Sequence, residues 1–198
     1  MTAGRNRSFD KDDALEQAML VFWTNGYPGT SLSDLTNAME INKSSLYSAF
    51  GNKGKLFNQA IDLYSNKYGL VHTDELSKME KTLPERIRNF LLSIARMITS
   101  SNLPKGCLLC NSTSEIAGNC LPDNAAKNIS AMNQHTVISL TDFFQKEQQK
   151  GNLNDKFSPN TLANYLLTLQ FGLAVSARNG SDMEELEEVI NFSIVQFE

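Results

Sequence analysis

The stretch Thr30–Phe50, TSLSDLTNAMEINKSSLYSAF, constrains the chain more than any other. Its apolar residues fall at helical spacing, in two short runs rather than one. Within Ser31–Met39, Leu32, Leu35 and Met39 recur on one face. Glu40, Ile41 and Asn42 make a short turn, with Ile41 apolar enough to plug the angle between the helices. Asn42 can then cap a second helix, Lys43–Phe50, by accepting a backbone N–H of its first turn. Leu46, Ala49 and Phe50 share one side of that helix. Ser44 and Ser48 take the other, flanked by Ser45 and Tyr47, with Lys43 at the open N-terminus. An anchored apolar back and a small, hydrogen-bonding front suit the major groove of DNA.

Any helical hairpin has an apolar inside, so the flanking text matters. A helix over Lys11–Asn25 precedes the pair, with Asp10 as N-cap and Asp12 and Asp13 in its dipole-favoured first turn. Leu15, Ala18, Met19 and Phe22 form its inner stripe, and Asn25-Gly26 supplies a left-handed stop. A following helix from about Gly51 buries Leu56, Phe57, Ala60, Ile61 and Tyr64. Helices packed around one small core, with one presented outward, make a DNA-binding module.

The run FWTNGYPGTSLSDLTNAMEINKSSLYSAFGNKGKLF resembles the N-terminal domain of the tetracycline-repressor (TetR/AcrR) family of bacterial transcription regulators. The matching marks are Phe22, Gly26-Tyr27, Thr30-Ser31, Leu35, Leu46-Tyr47, Phe50, Lys53 and Leu56-Phe57, within roughly the first third of the chain. The resemblance implies phosphate binding at Thr30 and Ser31 through hydroxyl and backbone N–H groups. It also implies a phosphate-binding Lys53 and a backbone-contacting Tyr47. The recognition face itself puts Ser44, Tyr47 and Ser48 toward base edges or sugars, and Lys43 toward a base or phosphate. Two departures stand out. Glu40 occupies a turn position that is usually glycine, where a left-handed backbone carries strain of about 1 kcal/mol. The N-terminal arm is sparse: Arg5 and Arg7 are expected to reach a minor groove if the arm orders on DNA, but Asn6 replaces the usual proline.

The remainder reads as helices with clear punctuation, so the fold class is all-α. A three-helix helix-turn-helix DNA-binding domain over residues 1–52 precedes a helical effector-binding and dimerisation domain over 53–198, linked by the helix from about 53. Thr82-Leu83-Pro84-Glu85 is a capped helix start, followed by a stripe of Ile87, Phe90, Leu91, Ile94, Met97 and Ile98. A short helix runs from about Cys107 to Ala117, and a longer one from Pro122-Asp123 to near Gly151. Ser158-Pro159 opens another that Asn179-Gly180 stops, and Ser181 with Glu184 forms a last capping box. The helix 159–178 is apolar on more than one side and is therefore expected to be buried on more than one side, and the helix 182–197 adds Leu186, Val189, Ile190, Ile194 and Phe197; packing of both within their own subunit is the alternative. By resemblance they form the interface of a homodimer, whose recognition helices then lie about 34–36 Å apart on a palindromic double-stranded operator.

Charge and composition bound the rest. The net charge of −4 is not shared evenly: residues 1–70 carry equal numbers of basic and acidic side chains, and the acidic excess lies beyond them. A neutral head implies few phosphate contacts and specificity drawn from two half-sites. No apolar run reaches the roughly 18 residues of a membrane span, and the N-terminus is polar, so a cytoplasmic protein without membrane contact is expected. No acid, base or nucleophile groups converge and no phosphate-cradling glycine motif occurs, which argues against an enzyme. No cofactor or metal is expected. The rival reading is a helical adaptor that binds a protein through the same exposed helix.

Two features bear on a signal. Phe90, Ile94, Met97, Leu109, Phe143 and Tyr165 are candidate walls of an effector cavity for an unidentified small molecule, with His135 as a polar contact, although nearly all of the walls serve equally well as core and a lone histidine is more often a satisfied surface or core residue. Cys107 and Cys110 share a face at a helix start, with Cys120 at a corner beyond. The helix dipole and Lys105 favour a Cys107 thiolate, and hence an oxidant or electrophile sensor. The same cysteines also read as small buried hydrophobes, or, with His72 and His135 far away in sequence, as a poor metal site.

Overall fold

Side-chain caps set where the helices begin. In the computed structural model, which describes residues 9–197, Asp10 accepts from the N–H groups of Asp12 (2.8 Å) and Asp13 (3.2 Å) and opens α1 (Lys11–Gly29). Ser31 and Asp34 cap each other's backbone at α2 (Leu32–Ala38). Asn42 and Asn52 cap α3 (Lys43–Phe50) and α4 (Lys53–Tyr64). Thr82 with Glu85 opens α5 (Leu83–Ile98), Cys107 precedes α6 (Leu108–Ala117), Pro122 precedes α7 (Asp123–Gln149), and Ser158 opens α8 (Pro159–Arg178). No strand occurs among the described residues, and the all-α expectation holds.

The stops are equally local. Gly26 breaks α1 at φ +71°, and only one further turn follows it to Gly29. Glu40 ends α2 in the left-handed region at φ +52°. Its N–H donates to the Asn37 carbonyl (3.3 Å) and that of Ile41 to Thr36 (3.1 Å), the paired wrap that normally recruits glycine. One boundary shifts from the sequence reading. The last helix, α9 (Met183–Ile194), is capped by Asp182 with Glu185, not by Ser181 with Glu184. The Ser181 N–H is already spent on Ser176 in the stop of α8, so the next acid takes the role.

Two cores result. The first gathers Phe22, Trp23, Leu35, Leu46 and Phe57 from α1–α4, with Leu108 of α6 and Ala125 and Ile129 of α7 closing it. All five buried residues of α4 join it, so α4 packs as part of the head. The second core lies among α5, α7, α8 and α9. It contains a buried ion pair: Arg86 donates to Glu147, which also accepts from Asn152 and Lys150. Burial pushes the Glu147 carboxyl up, but these donors outweigh it and hold it at about 2. Between α4 and α5 the chain runs through a π turn (Ser65–Gly69) and a 3-10 stretch (Leu70–Ser77), which no periodicity in the sequence signals.

Candidate functional site

The outward face of α3 is built from its anchored back. Leu46 and Phe50 are buried in the first core, which leaves Lys43, Ser44, Tyr47 and Ser48 exposed together, Tyr47 by 43%. Ser44 is partly engaged: its hydroxyl donates to the Asn42 cap at 2.6 Å, leaving it an acceptor toward DNA. Beside this face, Tyr47, Asn52, Lys53 and Lys55 border a shallow basin whose far rim is Pro122 and Asn124.

The flanking phosphate candidates divide. Thr30 is only 2% exposed; its hydroxyl donates to Gly26 (2.6 Å) and its N–H to Tyr27 (3.4 Å). Both donors are consumed, so Thr30 locks the corner after α1 instead of meeting phosphate. Ser31 is exposed, but its N–H donates to Asp34, which leaves the hydroxyl proton as its free donor. Lys53 folds back, its ammonium donating to the Tyr27 carbonyl at 2.6 Å and standing 4.1 Å over that ring. Desolvation lowers its pKa, opposed by the charges of Glu115 and Asp34. Arg5 and Arg7 lie outside the described residues.

Long-range groups missed in the sequence clamp the same corner. Glu115 of α6 accepts from the Tyr27 N–H at 3.3 Å, and its carboxylate occupies the space where any side chain at Gly26 would begin. Arg178, at the end of α8, donates to the carbonyls of Trp23 (3.2 Å) and Thr24 (2.9 Å), and Trp23 donates to Gly106 (3.2 Å). Only Gly26 hinted at this arrangement, and a turn glycine has many other uses.

A cavity of about 500 Å³ opens between α5, α7, α8 and the irregular stretch after α4. Phe90, Ile94, Met97, Leu109, His135 and Phe143 all line it. Tyr165 does not: it packs against Phe197 at 6.0 Å on the other side of α8. It sits five residues before the wall residue Gln170, about 140° around the helix. Tyr64, Tyr68 and His72 are walls that the periodicity did not reveal. Cys107 and Cys110 also line the cavity, but not as activated thiols. Burial pushes the Cys107 thiol up despite bonds from Tyr64 and Cys110, and raises Cys110 to about 12. Desolvation thus overrides the dipole that was expected to favour a Cys107 thiolate. Cys120 is exposed.

An outward helix of small polar residues on a capped helical head, continuous with a hollow helical half, defines a helix-turn-helix transcription regulator. Comparison with known proteins agrees. Residues 14–60 match the family described as bacterial regulatory proteins, tetR family. The transcriptional repressor ComR of Escherichia coli is 32% identical over 191 residues, covering 94% of this chain and 88% of that protein. A cysteine mutant of the TetR family regulator CifR, in complex with a 26-bp double-strand operator DNA, superposes with a TM-score of 0.84 at 30% identity, covering 97% of this chain and 98% of that one. The chain belongs to the TetR family, a family of DNA-binding regulators and not of enzymes.

Proposed function

We propose that this chain is a repressor that binds a palindromic operator as a homodimer and is released when a small molecule fills the cavity. The observation that carries the effector part is the placement of Tyr64. This buried ring is a wall of the cavity and packs edge-on against Trp23 (4.8 Å) in the core of the head, while its hydroxyl donates to Cys107 at 3.2 Å. A ligand pressing on that wall has a direct mechanical path to the head. Release is then a population shift, limited by the ligand's differential preference for the two arrangements.

Support for the homodimer comes from the apolar surface of the last two helices. Phe192 is 81% exposed, and Val175, Val189 and Val195 are exposed with it, residue types that water tolerates poorly as a group. In this reading residues 1–52 serve DNA, and residues 53–198 serve signal and assembly. Lys43, Ser44, Tyr47 and Ser48 carry base and backbone contacts, with Ser31 and Lys53 at adjoining phosphates.

The test is selection of a binding site from random DNA, followed by gel shifts across a salt series. A palindromic site bound by two protomers is expected, with affinity falling as salt rises. Phe192→Asp should abolish two-protomer binding. Salt-independent binding, or a site without two-fold symmetry, overturns the reading. A second reading keeps oxidants and electrophiles as effectors, because modification of Cys107 would push on Tyr64. The double substitution Cys107→Ser, Cys110→Ser decides it: unchanged release by peroxide and electrophiles removes the cysteines from the mechanism.

A further inference from the structure

We infer that the effector is an uncharged compound with an aromatic or unsaturated body. This rests on reading the cavity as the effector site, and it follows from what the walls lack. Among the described residues, no Asp, Glu, Lys or Arg side chain lines the cavity. Two cations stand behind the walls, each already paired: the Arg86 guanidinium is 5.6 Å from the Phe143 ring and donates to the Leu76 carbonyl and to Glu147, and the Lys67 ammonium is 5.6 Å from the Tyr68 ring and donates to Glu16.

The titratable walls do not replace the missing charge. The imidazole of His72 is held between the Ser93 hydroxyl (2.7 Å) and the Met97 sulfur (3.4 Å), and burial lowers its pKa, so it stays neutral. Tyr64 and Cys110 are both raised by desolvation and keep their protons. His135 sits at the exposed rim. An ion entering this space leaves water with no partner to meet it, which is strongly unfavourable.

What the walls do offer is polarisable. The rings of Tyr64, Tyr68, Phe90, Phe143 and Phe171 and the sulfurs of Met97 and Met132 surround the space. Such walls favour flat, electron-rich bodies through edge and face contacts and sulfur–ring contacts. Polar groups interrupt these walls and suit a hydrogen-bonding substituent: Asn133, Thr136 and Ser139 of α7, Ser65, Thr73 and Ser77 of the irregular stretch, and Gln170 of α8, whose buried amide nitrogen has no hydrogen-bond partner among the described residues. The volume lies at the lower end of the roughly 300–1,000 Å³ range of small-molecule sites.

A matched set of naphthalene dyes tests the inference on the full chain. N-phenylnaphthylamine is neutral, anilinonaphthalene sulfonate adds an anion to the same scaffold, and naphthyl-ethylenediamine carries a cation. The neutral dye should brighten and shift to the blue on binding, at least about tenfold tighter than either ion. Thr136→Phe, which projects a ring into the cavity, should abolish that signal with the helical circular dichroism unchanged. The fluorescence of Trp23, in edge contact with Tyr64 and Tyr68, gives a second readout on the unmodified protein. The inference is overturned if an ionic dye binds the cavity as tightly as the neutral one, or if the neutral dye does not bind. Operator release separates the two claims. A neutral dye that fills the cavity without weakening the operator complex sinks the effector reading alone. Release by a charged dye sinks the charge rule and upholds that reading.

Discussion

The head and the hollow half spend the same residue types differently. In the head, Phe22 meets Phe57 edge-on at 4.9 Å and Trp23 meets Tyr64 at 4.8 Å, so aromatic rings close the core. In the hollow half, Phe90, Phe143 and Phe171 surround about 500 Å³. A filled core fixes one geometry, which a recognition helix needs to hold its register in a groove. An unfilled one leaves side chains room to move around a guest. Tyr64 borders both, so the stiff part is attached to the soft part through a shared wall.

The largest test of that contrast is truncation. Phe22→Ala should cost about 3–5 kcal/mol in urea unfolding, whereas Phe143→Ala, beside existing space, should cost less than half as much. Equal losses would erase the distinction. The hollow half has its own rigid point in Arg86–Glu147. Removing one partner, as in Arg86→Met, strands a buried charge and should cost about 3 kcal/mol. The pair also sets an acid limit. Glu147 is depressed from 4.5 to about 2, so its contribution is present above its ordinary value and is lost as pH falls through that window. Melting temperatures should drop between those values, and Glu147→Gln should flatten the drop.

On the head, effects move from stability to binding. Lys43→Ala and Tyr47→Ala should each weaken operator binding by about tenfold, near the low end of a single base-contact loss, with unfolding changed by less than about 0.5 kcal/mol. Gel shifts and melts on the same samples check both halves of that statement. The smallest effect belongs to the turn. Glu40→Gly should stabilise the head by about 0.5–1 kcal/mol by relieving the left-handed backbone, offset partly by glycine's freedom when unfolded. No gain would mean the turn is already relaxed.

The sequence showed the head almost entirely. Caps at Asp10 and Asn42, the stop at Gly26 and the left-handed turn at Glu40 are all local events, settled within a few residues of the backbone they serve. The cavity was half legible. Stripes on α5 put Phe90, Ile94 and Met97 on one face, and all three line the cavity, since one helix has one inner face. Tyr165 failed because α8 is apolar on two sides and spacing alone does not say which side faces which neighbour.

By itself, then, the sequence determined the α-helices, most of their ends, the exposed face of α3 and the family. Tertiary structure alone decided which polar groups were free to act. It folded Lys53 onto Tyr27, brought Glu115 and Arg178 to a corner far away in sequence, and raised the Cys107 thiol that the helix dipole was expected to lower. The physical reason is range. Helix formation and capping act over about four residues, whereas desolvation and side-chain pairing depend on whatever the folded chain places next to a group.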